Sequence, residues 1–157
     1  MIEEAIGDLL SEKKLKLTVA ESCTGGLISY RITSVPGSSD YFLGAYVTYS
    51  NELKKKIIGV KDTTLERYGA VSSECALEMA EGAKAVSEAD VSIGVTGIAG
   101  PGGATPVKPV GLVYIAIVTE DQRIVKTYHF TGDRKSNREM TAETALKMLY
   151  EVLSGMK

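Results

Sequence analysis

An apolar run from Leu15 to Ala20 stops at Glu21-Ser22-Cys23 and passes at once into Thr24-Gly25-Gly26. A stretch of this kind that breaks at small polar residues and two glycines reads as strand, tight turn and helix N-terminus. The junction fixes one β-turn-α unit and sets the Ser22 hydroxyl among backbone N–H groups that have no partner in the first helical turn. Those donors and the helix dipole would stabilise both an alkoxide at Ser22 and the oxyanion formed after attack on a carbonyl. The competing reading is that a small polar residue here only caps the helix.

The rest of the chain extends this unit. Ile2, Ala5, Ile6, Leu9 and Leu10 recur at three- and four-residue steps, so a first amphipathic helix precedes the strand and ends in Lys13-Lys14-Leu15-Lys16. Leu27 to Thr33 continues as a helix, Pro36-Gly37-Ser38-Ser39 punctuates it, and Tyr41 to Tyr49 is a second strand rich in aromatic and β-branched residues. Asn51 to Ile58 and Thr63 to Tyr68 form two short helices. Ser72 caps a longer one through Ser87, with Ala76, Met79, Ala80 and Ala83 inward. Val91 to Thr96 is a strand opening into a glycine-rich loop, and Gly111 to Thr119 and Arg123 to Phe130 form a hairpin across Glu120-Asp121-Gln122. A capping-box pattern at Ser136-Asn137-Arg138-Glu139 opens a last helix with Ala142, Ala145, Leu146, Leu149, Val152 and Leu153 on one face. Alternating strands and helices that end in a hairpin predict a three-layer α/β/α sandwich with a mostly parallel, mixed five-stranded sheet and one antiparallel strand.

Composition narrows the function. At 157 residues the chain fits one domain, 1–157, with a core that needs no disulfide. Eighteen Lys plus Arg against 20 Asp plus Glu leave a formal charge of −2, so duplex DNA, RNA and an anionic membrane are not expected as direct partners. Cys23 and Cys75 have neither metal-knuckle spacing nor further cysteines to pair with, which points to a reduced, cytoplasmic setting. The N-terminus lacks the cationic start and apolar core of a signal peptide, and no apolar run reaches membrane-spanning length.

Four constellations carry chemistry. Thr48-Tyr49-Ser50-Asn51-Glu52-Leu53-Lys54 closes the second strand at the sheet edge that also holds Ser22, where open α/β folds place their sites. With Ser50 or Asn51 as cap, Lys54 falls in the first helical turn. The positive helix end and the neighbouring Lys55 and Lys56 would lower its pKa, as a general base toward serine requires. Three consecutive lysines also fit a solvated face. Tyr49 would orient Lys54 or relay a proton, or else belong to the core. Thr96, Gly97, Gly100 and Gly102 belong to a loop whose backbone N–H groups can approach an anion, although it is neither a P-loop nor a dinucleotide fingerprint, and a bland connection fits it too. Arg134 and Arg138 offer guanidinium groups for a phosphate or carboxylate, or only mark helix entry. Cys23 is the rival nucleophile, since a thiol at a helix N-terminus has a depressed pKa. Ser22 is favoured because a lysine is at hand for a hydroxyl while no histidine lies nearby in sequence for the thiol. His129, the only histidine, sits in a strand and is assigned a structural role.

Together, Ala20-Glu21-Ser22-Cys23-Thr24-Gly25-Gly26, Val47 to Lys54, Gly69-Ala70-Val71-Ser72, Gly97 to Gly103 and Gly132-Asp133-Arg134 resemble the CinA C-terminal domain family in order and over nearly the whole chain. The resemblance implies a nicotinamide mononucleotide (NMN) deamidase that hydrolyses the carboxamide to nicotinic acid mononucleotide and ammonia, with no metal or cofactor. It places the family's catalytic serine on Ser22, its lysine on Lys54 and its associated tyrosine on Tyr49. Cys23, Thr24 and Gly25 would hold the oxyanion, and Thr96, Gly97, Gly100 and Gly102 the substrate, with Arg134 or Arg138 on its phosphate. Many relatives carry an N-terminal molybdopterin-binding-like domain, which this chain is expected to lack. Two further expectations are a homodimer and, as the alternative function, a non-catalytic module binding a nucleotide or partner in competence or DNA damage.

Overall fold

In the computed structural model, which describes residues 1–157, β1 (Leu17–Glu21) is buried at every position. A strand covered on both faces sits inside a sheet with helices above and below. Leu17 and Val19 face one layer, made by α1 (Ile2–Lys13), α2 (Leu27–Thr33) and α6 (Arg134–Ser154), where Ile6, Leu10, Ile28, Leu146 and Leu149 close a 20-residue core. Ala20 faces the other layer, made by α3 (Asn51–Ile58), α4 (Asp62–Tyr68) and α5 (Ser73–Ser87), against Ile58, Cys75 and Met79.

The sheet adds β2 (Phe42–Val47), β3 (Val91–Gly97), β4 (Leu112–Val118) and β5 (Arg123–His129) in the order β2-β1-β3-β4-β5. β1 pairs parallel with β2 and β3, and β4 runs antiparallel to β3 and β5. The expected sandwich and its single reversed strand are therefore present. Glu21 stands opposite Val47 on one side and Val95 on the other. The next residue of each strand, Ser22, Thr48 and Thr96, thus falls on one carboxyl edge, where the chain goes to β2 on one side of β1 and later to β3 on the other. Such a reversal leaves a crevice at the strand ends.

Helix α5 is seated by missing side chains. A Cβ on Gly94 of β3 would lie 2.3 Å from the Ala76 carbonyl oxygen, and one on Gly82 of α5 would lie 1.7 Å from that of Ile58. The first contact brings α5 onto the sheet, and the second brings the end of α3 onto α5. The inward phase of α3 that results buries Lys54 and Ile58.

The last helix departs from expectation. It begins at Arg134, because Asp133 caps it by accepting from the Ser136 N–H at 2.8 Å, so Ser136 lies inside the first turn rather than ahead of it. Asn137 is buried for another purpose. Its amide nitrogen donates to the Ala99 and Gly132 carbonyls and its oxygen accepts from the Gly132 N–H, all at 3.0 Å, tying the glycine-rich loop to α6. No helix is long and apolar enough to cross a membrane.

Candidate active site

The turn after β1 is organised by Glu21, whose carboxylate is fully buried. Oε1 accepts from the Thr24 hydroxyl at 2.6 Å and from the Gly26 and Ile28 N–H groups at 3.2 and 3.1 Å. Oε2 accepts from the Ser29 N–H at 3.0 Å and from the Ser29 hydroxyl. The donors expected near Ser22 are thus partly taken, and Glu21, not Ser22, caps α2. The Gly25 N–H is also used, bonded to the Ser22 carbonyl at 3.1 Å. The N–H groups of Cys23 and Thr24 have no acceptor within the protein.

Ser22 Oγ meets Lys54 Nζ at 2.9 Å, with Ser22 8% and Lys54 1% exposed. Nζ is held on its other sides by the Thr48 carbonyl at 2.7 Å and the Tyr49 carbonyl at 3.1 Å. The helix carrying Lys54 is capped by Ser50, whose hydroxyl accepts from the Leu53 N–H at 3.1 Å. Burial lowers the Lys54 pKa below the ordinary 10.5. The direction matches the sequence reading, but the cause differs. Lys55 is turned away to Glu52 and Asp62 at 3.2 and 2.8 Å, and Lys56 is exposed, so only Lys54 of the three leaves the solvated face.

Cys23 departs from expectation. Burial pushes its thiol up to about 11, reinforced by the Glu21 charge, with its own backbone N–H, Arg138 and Lys54 opposing. A helix N-terminus depresses a thiol pKa where the thiolate stays hydrated; here the group is 6% exposed and desolvation prevails. Cys75 is fully buried against Ala20 and Met79, and burial likewise pushes it up to about 11.

A cavity of about 270 Å³ opens above this pair. Its lining brings together Ser22, Cys23, Tyr49, Lys54, Thr96, Gly97, Gly100, Gly102 and Arg134. Thr24, Gly25 and Arg138 lie outside it. Arg138 instead donates from Nε to the Cys23 carbonyl at 3.0 Å and from Nη2 to the Thr24 carbonyl at 3.1 Å. The Thr96 hydroxyl donates to the Ala70 carbonyl at 2.8 Å, fixing the cavity wall. Tyr49 is 61% exposed and reaches Lys54 through its carbonyl, while its phenol accepts from Arg134 Nη2 at 3.1 Å. Arg134 Nη1 donates to the Gly100 carbonyl at 2.7 Å, so its guanidinium bridges the glycine loop and the end of β2. His129 is not among the cavity-lining residues, and its Nε2 lies 3.1 Å from the Val110 carbonyl oxygen. No three His, Cys, Asp or Glu side chains gather into a metal-holding group.

The family model of the CinA C-terminal domain matches residues 1–153. The chain belongs to the CinA C-terminal domain family. A CinA-like protein of Thermotoga neapolitana is 51% identical over 148 residues, covering 94% of this chain and 36% of the relative. The chain thus spans just over a third of the length of the curated relatives it matches. The crystal structure of competence damage-inducible protein A from Klebsiella pneumoniae is 31% identical, with a TM-score of 0.96 over 99% of this chain and 97% of that one. That of competence/damage inducible protein CihA from Agrobacterium tumefaciens is 40% identical, with a TM-score of 0.87 over 98% and 95%.

Several residues of this CinA-family site carry no local sign of their role in the sequence, Glu21, Ala70 and Val71 among them. Glu21 was legible only as a strand end, and nothing local distinguishes a carboxylate that folds back onto the next helix from one that faces water. Ala70 and Val71 line the cavity from the turn between α4 and α5, a contact made through tertiary packing alone.

Proposed function

We propose that the chain is an amidohydrolase of the Ser-Lys type that deamidates NMN. The observation that carries the reading is the 2.9 Å contact between two buried groups, the Ser22 hydroxyl and an amine whose charge burial disfavours. A neutral amine has two N–H donors and one lone pair. With the donors on the Thr48 and Tyr49 carbonyls, the lone pair is left for the Ser22 proton. The choice of amide follows from the family resemblance, supported by a cationic Arg134 at the cavity wall suited to a phosphate.

In this reaction Ser22 Oγ attacks the carboxamide carbon while its proton passes to Lys54 Nζ. The Cys23 N–H, free of any protein acceptor and carried by a residue that lines the cavity, donates to the oxyanion. Collapse breaks the C–N bond as Lys54 returns the proton to the leaving nitrogen, releasing ammonia. Water then attacks the acyl carbon, Lys54 takes its proton, and Ser22 leaves as the hydroxyl with nicotinic acid mononucleotide as product. A second reading, a non-catalytic module in a damage response, draws on the names of relatives but leaves the buried contact without a purpose. Supplying NMN, nicotinamide and NAD separately and measuring ammonia separates these readings. Release from NMN in preference to the other two is expected, and no ammonia from any of them would overturn the proposal.

A further inference from the structure

Arg138 lies outside the cavity and aims its donors at the backbone. Its Nε and Nη2 form a fork on the carbonyls of two successive residues, Cys23 and Thr24, directly after Ser22. These peptides are trans, so each C=O points opposite to the N–H of the residue that follows. Fixing the Cys23 carbonyl therefore fixes the Thr24 N–H on the far side of the same plane. The Thr24 carbonyl held by Nη2 shares its plane with the Gly25 N–H, which donates to the Ser22 carbonyl and so fixes the Cys23 N–H of that next plane. Both N–H groups lack a protein acceptor, and the αL conformation of Gly25, φ +58°, closes the turn behind them. Of the two, Cys23 lines the cavity while Thr24 is fully buried outside it, so the Cys23 N–H is the donor a substrate oxygen can reach. Gly25 leaves room for the fork, since a Cβ there would lie 3.0 Å from Arg138 Nη2.

We infer that Arg138 is a positioning residue for the oxyanion site, acting across the backbone from α6 rather than on the substrate phosphate. The inference rests on the Ser-Lys hydrolase reading. It separates the two arginines of α6: Arg134 lines the cavity, and Arg138 sets the planes of the peptides that run from Cys23 on its wall into the turn behind. A lysine at position 138 would keep the charge but not the planar fork, because its ammonium is a single point on a flexible stem rather than two donors fixed in one plane.

The test compares wild type, Arg138→Gln and Arg138→Lys in three measurements: thermal unfolding, kcat and KM for NMN, and the rate at which an alkyl fluorophosphonate labels Ser22. In labelling, the Ser22 Oγ–P bond forms, the P–F bond breaks, fluoride leaves, and the phosphoryl oxygen occupies the oxyanion position without any need for NMN. The expected result is a fall in kcat of about 10²-fold with KM changed less than about threefold, as for loss of an oxyanion donor. Labelling should slow in parallel, in both variants. A raised KM with unchanged kcat would make Arg138 a substrate ligand and overturn the inference, as would unchanged labelling in a folded variant. Should Arg138→Gln fail to fold, Arg138→Lys decides alone. If wild type labels at Ser22 yet releases no ammonia from NMN, the substrate assignment fails while slower labelling of the variants still upholds Arg138. An unreactive Ser22 in wild type would overturn both.

Discussion

Replacing Glu21 by Gln tests how the turn that presents Ser22 is held. The carboxylate accepts five hydrogen bonds while fully buried, three on Oε1 and two on Oε2. An amide keeps one oxygen, best left toward Thr24, Gly26 and Ile28, and turns its NH₂ toward Ser29. The Ser29 hydroxyl can rotate to accept, but the Ser29 N–H cannot. Stranding that donor costs about 1–3 kcal/mol, and each of the three surviving bonds weakens by about 1 kcal/mol when its acceptor loses charge. Relief of the buried charge opposes these terms, but a carboxylate already ringed by donors gains little from neutralisation. The net expectation is a loss of about 4 kcal/mol, a fall of about 10 °C in Tm for a chain of this size. Thermal unfolding by circular dichroism reads it directly. A shift below about 2 °C would show that the carboxylate does not hold the turn.

Lys54→Met should lower kcat for NMN by about 10²–10⁴-fold, the range for loss of a general base, and a loss under tenfold in ammonia release would exclude Lys54 from that role. In wild type, kcat/KM should rise with pH along a limb centred below 10.5, because burial favours the neutral amine that does the work. The folded protein binds that proton more weakly than the unfolded chain, so stability should also rise with pH between the lowered value and 10.5, a trend absent from Lys54→Met in denaturant titrations. Cys23→Ala should stay within about tenfold of wild type, since a thiol held near 11 is protonated at neutral pH and its loss removes only a small buried side chain. Arg134→Ala should raise KM for NMN far more than it lowers kcat, and the reverse pattern in steady-state kinetics would contradict its assignment to binding.

The fold was largely legible because the decisive signals are local. The break at Glu21 to Gly26, the small-residue stripe Ala76, Ala80 and Ala83, and the turn at Glu120 to Gln122 each mark an element by a short pattern, and parallel pairing then brings Ser22, Thr48 and Thr96 to one edge. Within Lys54-Lys55-Lys56, by contrast, only the phase of α3 against α5 decides which amine is buried, and that phase depends on a close approach at Gly82 24 residues beyond Ile58. The start of α6 is ambiguous in sequence because Asp133 competes with Ser136 as a cap, and the spacing alone favours neither. The Cys23 pKa is not legible in sequence, because helix position is visible there whereas desolvation is a property of the packed chain. Arg138 looked interchangeable with Arg134 for the same reason: four residues apart on one helix, they reach different partners.

The central claim is that Lys54 makes the Ser22 hydroxyl a nucleophile, and rapid acid quench of enzyme mixed with NMN, followed by intact-mass and peptide mapping, tests it most directly. The account predicts a transient adduct equal to NMN less ammonia, attached at Ser22 and absent from Ser22→Ala. An adduct on Cys23, or turnover of NMN undiminished in Ser22→Ala, would contradict it.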